Sequence, residues 1–311
     1  MRKGFTFIEM IFVIVIMGIL AKFGSEIFRN VYENYNNSKA NNELQIDTEL
    51  TLQQIANRLQ YRIKDSVIGR RVNGDFTGLS SIVDSNYTAF EWVGYDIDGW
   101  LGNNRGGTEV YNKPTWTGFI DVDAIDTANA NVNTLFSPGT DTGQINTVIG
   151  SLSPTGAGVG NSALFFTGGS TDIRTGYDWN TTTGILTTQN NVAAHRVTTT
   201  ANVQQFADAT AASFAGTDIY EQYKLAWTAY ALSLEDFDGD GDSDELVLYY
   251  DYRPWEGDDF TDNNIPRALF IDNVSTVKLR AIGDMINIQV CISENNITGS
   301  EYSICKEKAI F

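Results

Sequence analysis

The stretch "KGFTFIEMIFVIVIMGILAKF", residues 3–23, constrains the chain more than any other. Between Phe5 and Ala21 nearly every side chain is apolar, and no proline occurs from Phe5 to Val67. At a rise of 1.5 Å per residue, residues 5–21 make a helix of about 25 Å, near the lower limit for crossing a bilayer. Glu9 sits inside this run. A carboxylate at such a depth costs about 2.5 kcal/mol or more, so it needs a partner.

Three readings compete for this segment. A secretory signal peptide uses Arg2 and Lys3 as its charged region and is removed near Ala21. Glu9 weakens insertion of such a peptide, and "GILAKF" is a poor small-residue cleavage site. A plain anchor fits the length, with the basic end cytoplasmic. Neither explains the acid in the fifth position of the run.

The third reading rests on order. A basic leader ending in Gly4 is followed by Phe5, Thr6, the apolar pair Phe7 and Ile8, then Glu9 and an unbroken apolar stretch. This arrangement resembles the class III signal of type IV prepilins and pseudopilins. The resemblance implies cleavage between Gly4 and Phe5 on the cytoplasmic face by a prepilin peptidase/methyltransferase, with Phe5 becoming the N-methylated first residue. It also supplies the missing partner for Glu9. In a packed bundle of such helices, the Glu9 carboxylate of one subunit pairs with the Phe5 amine of its neighbour, and a paired buried charge is tolerable where an unpaired one is not. Cleavage removes Arg2 and Lys3, taking the formal charge from -18 to -18 - 2 = -20.

Apolar residues recur at helical spacing beyond the run. Ile27, Phe28, Val31, Tyr32 and Tyr35 form one set; Leu52, Ile55, Ala56, Leu59 and Ile63 form another. One long helix over 5–67 is expected, with loosening near Gly24 and the asparagine-rich run 34–42, where weak helix formers cluster. Its first part is read as membrane or filament core, its second as a stripe laid on a globular domain. From Gly69 onward strand-like alternation takes over. Residues 87–102 and 115–125 read as strand and turn, and 128–216, rich in Thr, Ala, Asn and Gly, as a loop-rich insertion. Residues 223–235 and 244–255 flank an acidic loop as an antiparallel hairpin. Residues 267–292 give two or three strands with a tight turn near Gly283. The succession of long helix, "LQQIANRLQYRI" and "LFIDNVSTVKLRAIGDMINIQVCI" resembles J-type minor pseudopilins and W-type minor pilins.

Charge narrows the partners. Acidic residues outnumber basic ones 39 to 21, and such a field repels nucleic acid and anionic lipid headgroups while favouring divalent cations. The local basic cluster of Arg58, Arg62, Lys64, Arg70 and Arg71 reads as solvated charge at a helix C-terminus rather than a DNA site. Cys291 and Cys305 with a single histidine cannot make a zinc site. A disulfide or two buried free thiols remain open, and an exported chain favours the bridge.

"EDFDGDGDSDEL" places Asp236, Asp238, Asp240, Asp242 and Asp244 on alternate positions, with Gly239 and Gly241 between them. Hard oxygens at positions 1, 3, 5, 7 and 9 of a tight loop, with glycine at position 6, suit Ca2+. Val247 stands where an EF-hand has its bidentate glutamate, and a strand is expected to follow. Five aspartates so close repel one another without a cation. The ion's expected role is structural, although an exposed turn that merely solubilises the hairpin is the alternative.

Catalytic signals are weak. His195 reads as an ordinary loop histidine. "GTDTG" at 139–143 contains the Asp-Thr-Gly of aspartic proteases without a preceding apolar strand or a second copy. "GAGVGN" at 156–161 misses dinucleotide-loop spacing. Trp92, Trp100, Trp116, Trp227 and Trp255 read as core for the most part.

The sequence therefore reads as an α+β, pilin-like protein. It has a leader at 1–4, a membrane and filament helix at 5–67, and a β-rich domain at 68–311. The expected role is a non-enzymatic minor pilin or pseudopilin that meets other subunits and an inner-membrane assembly platform, and does not bind nucleic acid. An adhesin or glycan-binding module that uses exposed aromatics of the insertion is the alternative. A membrane-anchored hydrolase has no supporting constellation.

Overall fold

α1 (Phe7–Leu59) dominates the computed structural model, which describes residues 6–82, 87–102, 112–124, 132–169, 172–180, 184–210, 212–295 and 301–311. Its 53 residues extend for about 80 Å. Neither Gly24 nor the asparagine-rich run interrupts it. The helix does stop short of residue 67, for a tertiary reason. Ile63 N donates to Val93 O at 2.8 Å and Tyr95 N donates to Tyr61 O at 2.9 Å, so the chain is drawn off as an antiparallel neighbour of a strand. Arg62 closes the helix end, its Nη1 donating to Leu59 O at 2.9 Å.

β1 (Ile68–Arg70), β2 (Phe76–Gly78) and β3 (Ala89–Tyr95) lead to the short α2 (Ile97–Leu101). β4 (Thr134–Phe136), α3 (Thr142–Leu152), β5 (Ala163–Phe166), β6 (His195–Thr199) and β7 (Gln205–Asp208) follow. Then come β8 (Tyr223–Glu235), β9 (Glu245–Tyr252), β10 (Arg267–Ile271), β11 (Val274–Ile282), β12 (Met285–Asn295) and β13 (Glu301–Ile310). One antiparallel sheet runs β2-β1-β3-β8-β5-β6-β7-β4, with β9 on β8 and β10 on β9; a smaller one runs β11-β12-β13. β8 is the spine of the larger sheet. One edge pairs with β3, and the other pairs first with β5 and then with β9.

The expected hairpins at 223–255 and 267–292 are present as β8–β9 and β11–β12. In the second, Ile282 faces Met285 across a two-residue turn. Gly283 leads that turn at φ +60°, the position type II′ hairpins reserve for glycine. The described residues of 128–216 are mostly irregular, with short elements between them. That stretch carries β4 to β7 and α3, and β5 joins the spine, so it extends the sheet rather than looping out from it. Residues 115–124 hold a short helical turn and a bridge from Phe119 to Gln222 instead of a strand.

Alternation along the strands separates the cores. On one face, Phe90, Trp92, Leu232 and Leu248 meet the α1 stripe of Leu44, Leu52, Ile55 and Leu59, and Leu279, Ile288 and Val290 of the smaller sheet close over it. Each such side chain removed from water contributes about 1.5–3 kcal/mol. On the other face, Val93, Ala229, Ala231 and Val247 pack with Trp255 and Phe260. Gly94 belongs to the first face, where a Cβ would come within 2.6 Å of the Tyr230 ring. Glu91 is buried on the second face and accepts from Arg70 Nε and, at 3.0 Å, from Tyr252 Oη. Burial pushes its carboxyl above the usual range against the pull of Arg70. A third core, around Trp116, Ile145, Leu164, Phe206 and Tyr223, fills the lobe made by β4 to β7.

Candidate functional site

Gly4 and Phe5, the residues of the expected cleavage, lie outside the described residues. Immediately after them Thr6 stands at the α1 N-cap. Glu9 Oε2 accepts from Thr6 N at 2.9 Å and from Thr6 Oγ1 at 3.0 Å. A helix N-terminus leaves backbone N–H groups without internal partners, and this contact satisfies one of them. Glu9 Oε1 has no partner among the described residues. Capping thus uses one carboxylate oxygen and leaves the other free for a second donor.

The helix that follows is long and apolar enough to cross a membrane, and the apolar window is entirely unburied by the rest of the chain. Phe7, Ile11, Ile14 and Leu20 are exposed, as are Ile27, Phe28, Val31 and Tyr35 further on. Burial begins only at Leu44. One helix therefore has two environments, a bare apolar half and a half seated in the head.

Lys306 and Lys308 of β13 hold the seated half. Lys306 Nζ donates to Glu49 Oε2 at 2.9 Å and to Gln45 O at 3.0 Å, and Lys308 Nζ donates to Gln53 Oε1 at 2.7 Å. Behind them β13 is joined to β12 by a disulfide between Cys291 and Cys305, which face each other in register.

The acidic loop connects β8 to β9. Asp236 carboxylate oxygens accept from Gly239 N at 2.7 Å and Gly241 N at 3.2 Å; Asp238 accepts from Asp240 N and Asp240 from Asp242 N. These short-range bonds curl the loop, and Gly239 and Gly241 take positive φ of 86° and 101° to allow it. Carboxylate oxygens of Asp236, Asp238 and Glu245 lie within 4.8 Å of one another, and so do those of Asp244, Glu245 and Asp272. Asp240 and Asp242 belong to neither group.

Sequence reasoning missed Glu245 and Asp272. Glu245 had a local signal, since it follows Asp244 directly. Asp272 reaches the loop only because the turn between β10 and β11 lies beside it, where Val274 N donates to Asp244 O at 2.7 Å. Burial and the charges of Asp240 and Asp272 hold the Asp244 carboxyl above its ordinary range. At Glu245 the Phe237 N–H bond favours the carboxylate, but burial and the nearby Asp238 and Asp244 outweigh it and the pKa rises. The set is made of hard oxygens, which suits Ca2+ or another hard cation rather than zinc.

The remaining motifs have structural partners. His195 is buried in β6 rather than in a loop; its Nδ1 lies 3.2 Å from Gln189 Oε1, and burial lowers its pKa to about 4. Asp141 of "GTDTG" is the N-cap of α3, accepting from Gln144 N at 3.1 Å. In "GAGVGN", Val159–Asn161 form one turn of 3-10 helix. Trp92, Trp116, Trp227 and Trp255 are core, while Trp100 is exposed.

No curated protein and no solved structure matches the chain. Residues 1–21 match the family model described as the prokaryotic N-terminal methylation motif. The chain thus carries the signal that supports a type IV pilin or pseudopilin processed by prepilin peptidase, on an apolar helix that fits a single membrane pass before assembly.

Proposed function

We propose that the protein is a minor pilin or pseudopilin, a non-enzymatic subunit of a type IV pilus or a type II secretion pseudopilus. The observation that carries this reading is the division of α1. Its apolar residues from Phe7 to Tyr35 are exposed, while Leu44 to Leu59 supply a buried stripe. An apolar surface of that extent needs a cover, which lipid provides first and neighbouring helices afterwards. In this reading the enzyme cuts between Gly4 and Phe5 and methylates Phe5. The assembly platform then draws the helix into a filament, with the head on the periplasmic or outer side. A head of this size favours a minor position, since a repeating shaft favours a compact one.

The β8–β9 loop is read as a structural calcium site. Asp236, Asp238 and Glu245 would hold the ion, with Asp244 and Asp272 beside them, and Glu245 would supply the acid that position 12 lacks. Support comes from the all-oxygen donor set and from two carboxylate groups that share Glu245.

Co-expression with a prepilin peptidase tests the main reading. The intact mass of the purified chain should fall by residues 1–4 and rise by one methyl group, both located to Phe5 by fragmentation. A chain left whole, or cut near Ala21, would overturn it.

A further inference from the structure

A cavity of about 900 Å³ opens between the α1–β1 connection, the β5 and β8 strands and the β11–β12 turn. No function described above uses it. Its volume lies within the range of small-ligand sites.

Arg62, Lys64, Arg174 and Lys224 all line the cavity, and Arg174 is committed to Asp75 at 3.4 Å. Lys64 is committed to Asp284 at 2.8 Å. Among the described residues Arg62 donates only to backbone carbonyls, Leu59 O and Asp284 O, and its buried Nε has no partner. Lys224 is half-buried and sits 4.5 Å from the Tyr95 ring centroid, with no carboxylate bound to it among the described residues. Burial, followed by the charges of Lys64 and Arg62, depresses its pKa. A half-buried ammonium beside two other cations is costly unless something negative joins it.

The other walls indicate what kind of anion. Acids line the cavity too: Asp65, Asp172 and Asp218 are exposed on it and Asp284 pairs with Lys64, so four acids match four cations and only the corner of Lys224 and Arg62 is locally positive. That balance suits one negative charge rather than the two of a phosphate monoester. Asn190, Asn191 and Thr167 add neutral donors and acceptors. Tyr220 adds a flat apolar surface. Its ring rests on the Gly168–Gly169 backbone, where added Cβ atoms would lie 3.5 and 3.6 Å from it, and it is 38% exposed. The negative face of an aromatic ring attracts the weakly positive C–H groups of a sugar.

We propose that this cavity binds an acidic saccharide, with the sugar carboxylate held by Lys224, the buried Arg62 charge behind it, and a ring laid beside Tyr220. Asn190 and Asn191 then meet hydroxyls. The site uses residues of the head alone and does not depend on how α1 is processed or assembled.

The test is calorimetric titration of the full chain in a zwitterionic detergent with three probes of one carboxylate each: galacturonate, glucuronate and N-acetylneuraminate. Maltotriose and inorganic phosphate serve as controls. At least one acidic probe should bind at least tenfold more tightly than both controls. Lys224→Met, which keeps the side-chain bulk, should weaken that binding at least tenfold, and Lys224→Arg should restore most of it. Matching thermal melts of the variants keep the comparison free of folding effects. Failure of all three acidic probes overturns the proposal, and so does binding undiminished in Lys224→Met. Equal binding of phosphate or maltotriose overturns it as well.

Discussion

Cys291 and Cys305 stand directly opposite each other on β12 and β13 and are bonded through their sulfurs. The bridge closes a segment of sequence separation 14 and fastens the strand whose Lys306 and Lys308 grip α1. One of the strands that link shaft and head is thus fastened by an oxidised pair.

Reduction should loosen that link. Closing a loop of this length contributes about 3 kcal/mol in the chain-entropy picture. The guanidinium midpoint of the detergent-solubilised chain should fall accordingly on reduction. Amide exchange in α1 around residues 45–59 should quicken. An unchanged midpoint with unchanged exchange would show that β13 holds without the bridge.

Asp96 gives a pH dependence of known sign. It is 2% exposed, and Gly99 N and Trp116 Nε1 each donate to it at 3.1 Å. Burial raises its pKa from 3.8 to about 6, against the Gly99 bond and with help from the Asp98 charge. A raised folded value means that its contribution is present below about pH 4 and is lost as pH climbs through 6. Asp96→Asn mimics the neutral acid. Urea melts should show the variant gaining on the parent by about 1.4 kcal/mol per pH unit between pH 4 and 6, with a level difference on either side. His195, with its pKa lowered to about 4, acts in the opposite direction, losing its contribution as pH falls from 6.5. It is shared by both chains and drops out of the comparison. A flat difference across this window would contradict the assignment.

Much of this could be read from residues alone, because hydrophobic period and turn chemistry are local. The stripe Leu52, Ile55, Ala56 and Leu59 and the turn at Gly283 followed from spacing. The end of α1 did not. Nothing in "LQYRIKDSV" breaks a helix, and the break comes from pairing of Tyr61 and Ile63 with a strand some thirty residues later. The stretch 128–216 looked loop-rich because its strands are short and lie among long runs of Thr, Ala, Asn and Gly. Its role in the sheet depends on β5 reaching β8, a contact with no local mark. At the acidic loop the alternate aspartates were plain, while Asp272 needed the fold to bring it near.

For the loop itself, chelation supplies the measurement. Without a cation the carboxylates of Asp236, Asp238 and Glu245 repel one another at close range, so EGTA should lower the melting temperature of the chain and added Ca2+ restore it. Asp238→Ala with Asp240→Ala should abolish the difference between the two conditions. Asp240→Ala alone should have the smaller effect, since Asp240 lies in neither carboxylate group. A melt indifferent to EGTA would remove calcium from the account.

Glu9 carries the last prediction. Its Oε2 is already occupied by Thr6 N and Oγ1, so the acid is not idle in a single chain. The free Oε1 is the atom available to a neighbour's Phe5 amine, and in a bilayer interior the stronger Coulomb attraction of that pair offsets the cost of keeping the acid out of water. Capping and pairing can be separated by substitution. Glu9→Gln keeps an oxygen acceptor for Thr6 but removes the charge, whereas Glu9→Ala removes both. If pairing drives assembly, both variants should stay in the membrane fraction and both should drop out of sheared filaments. If the acid serves only to cap the helix, Glu9→Gln should incorporate like the parent chain and Glu9→Ala alone should fail.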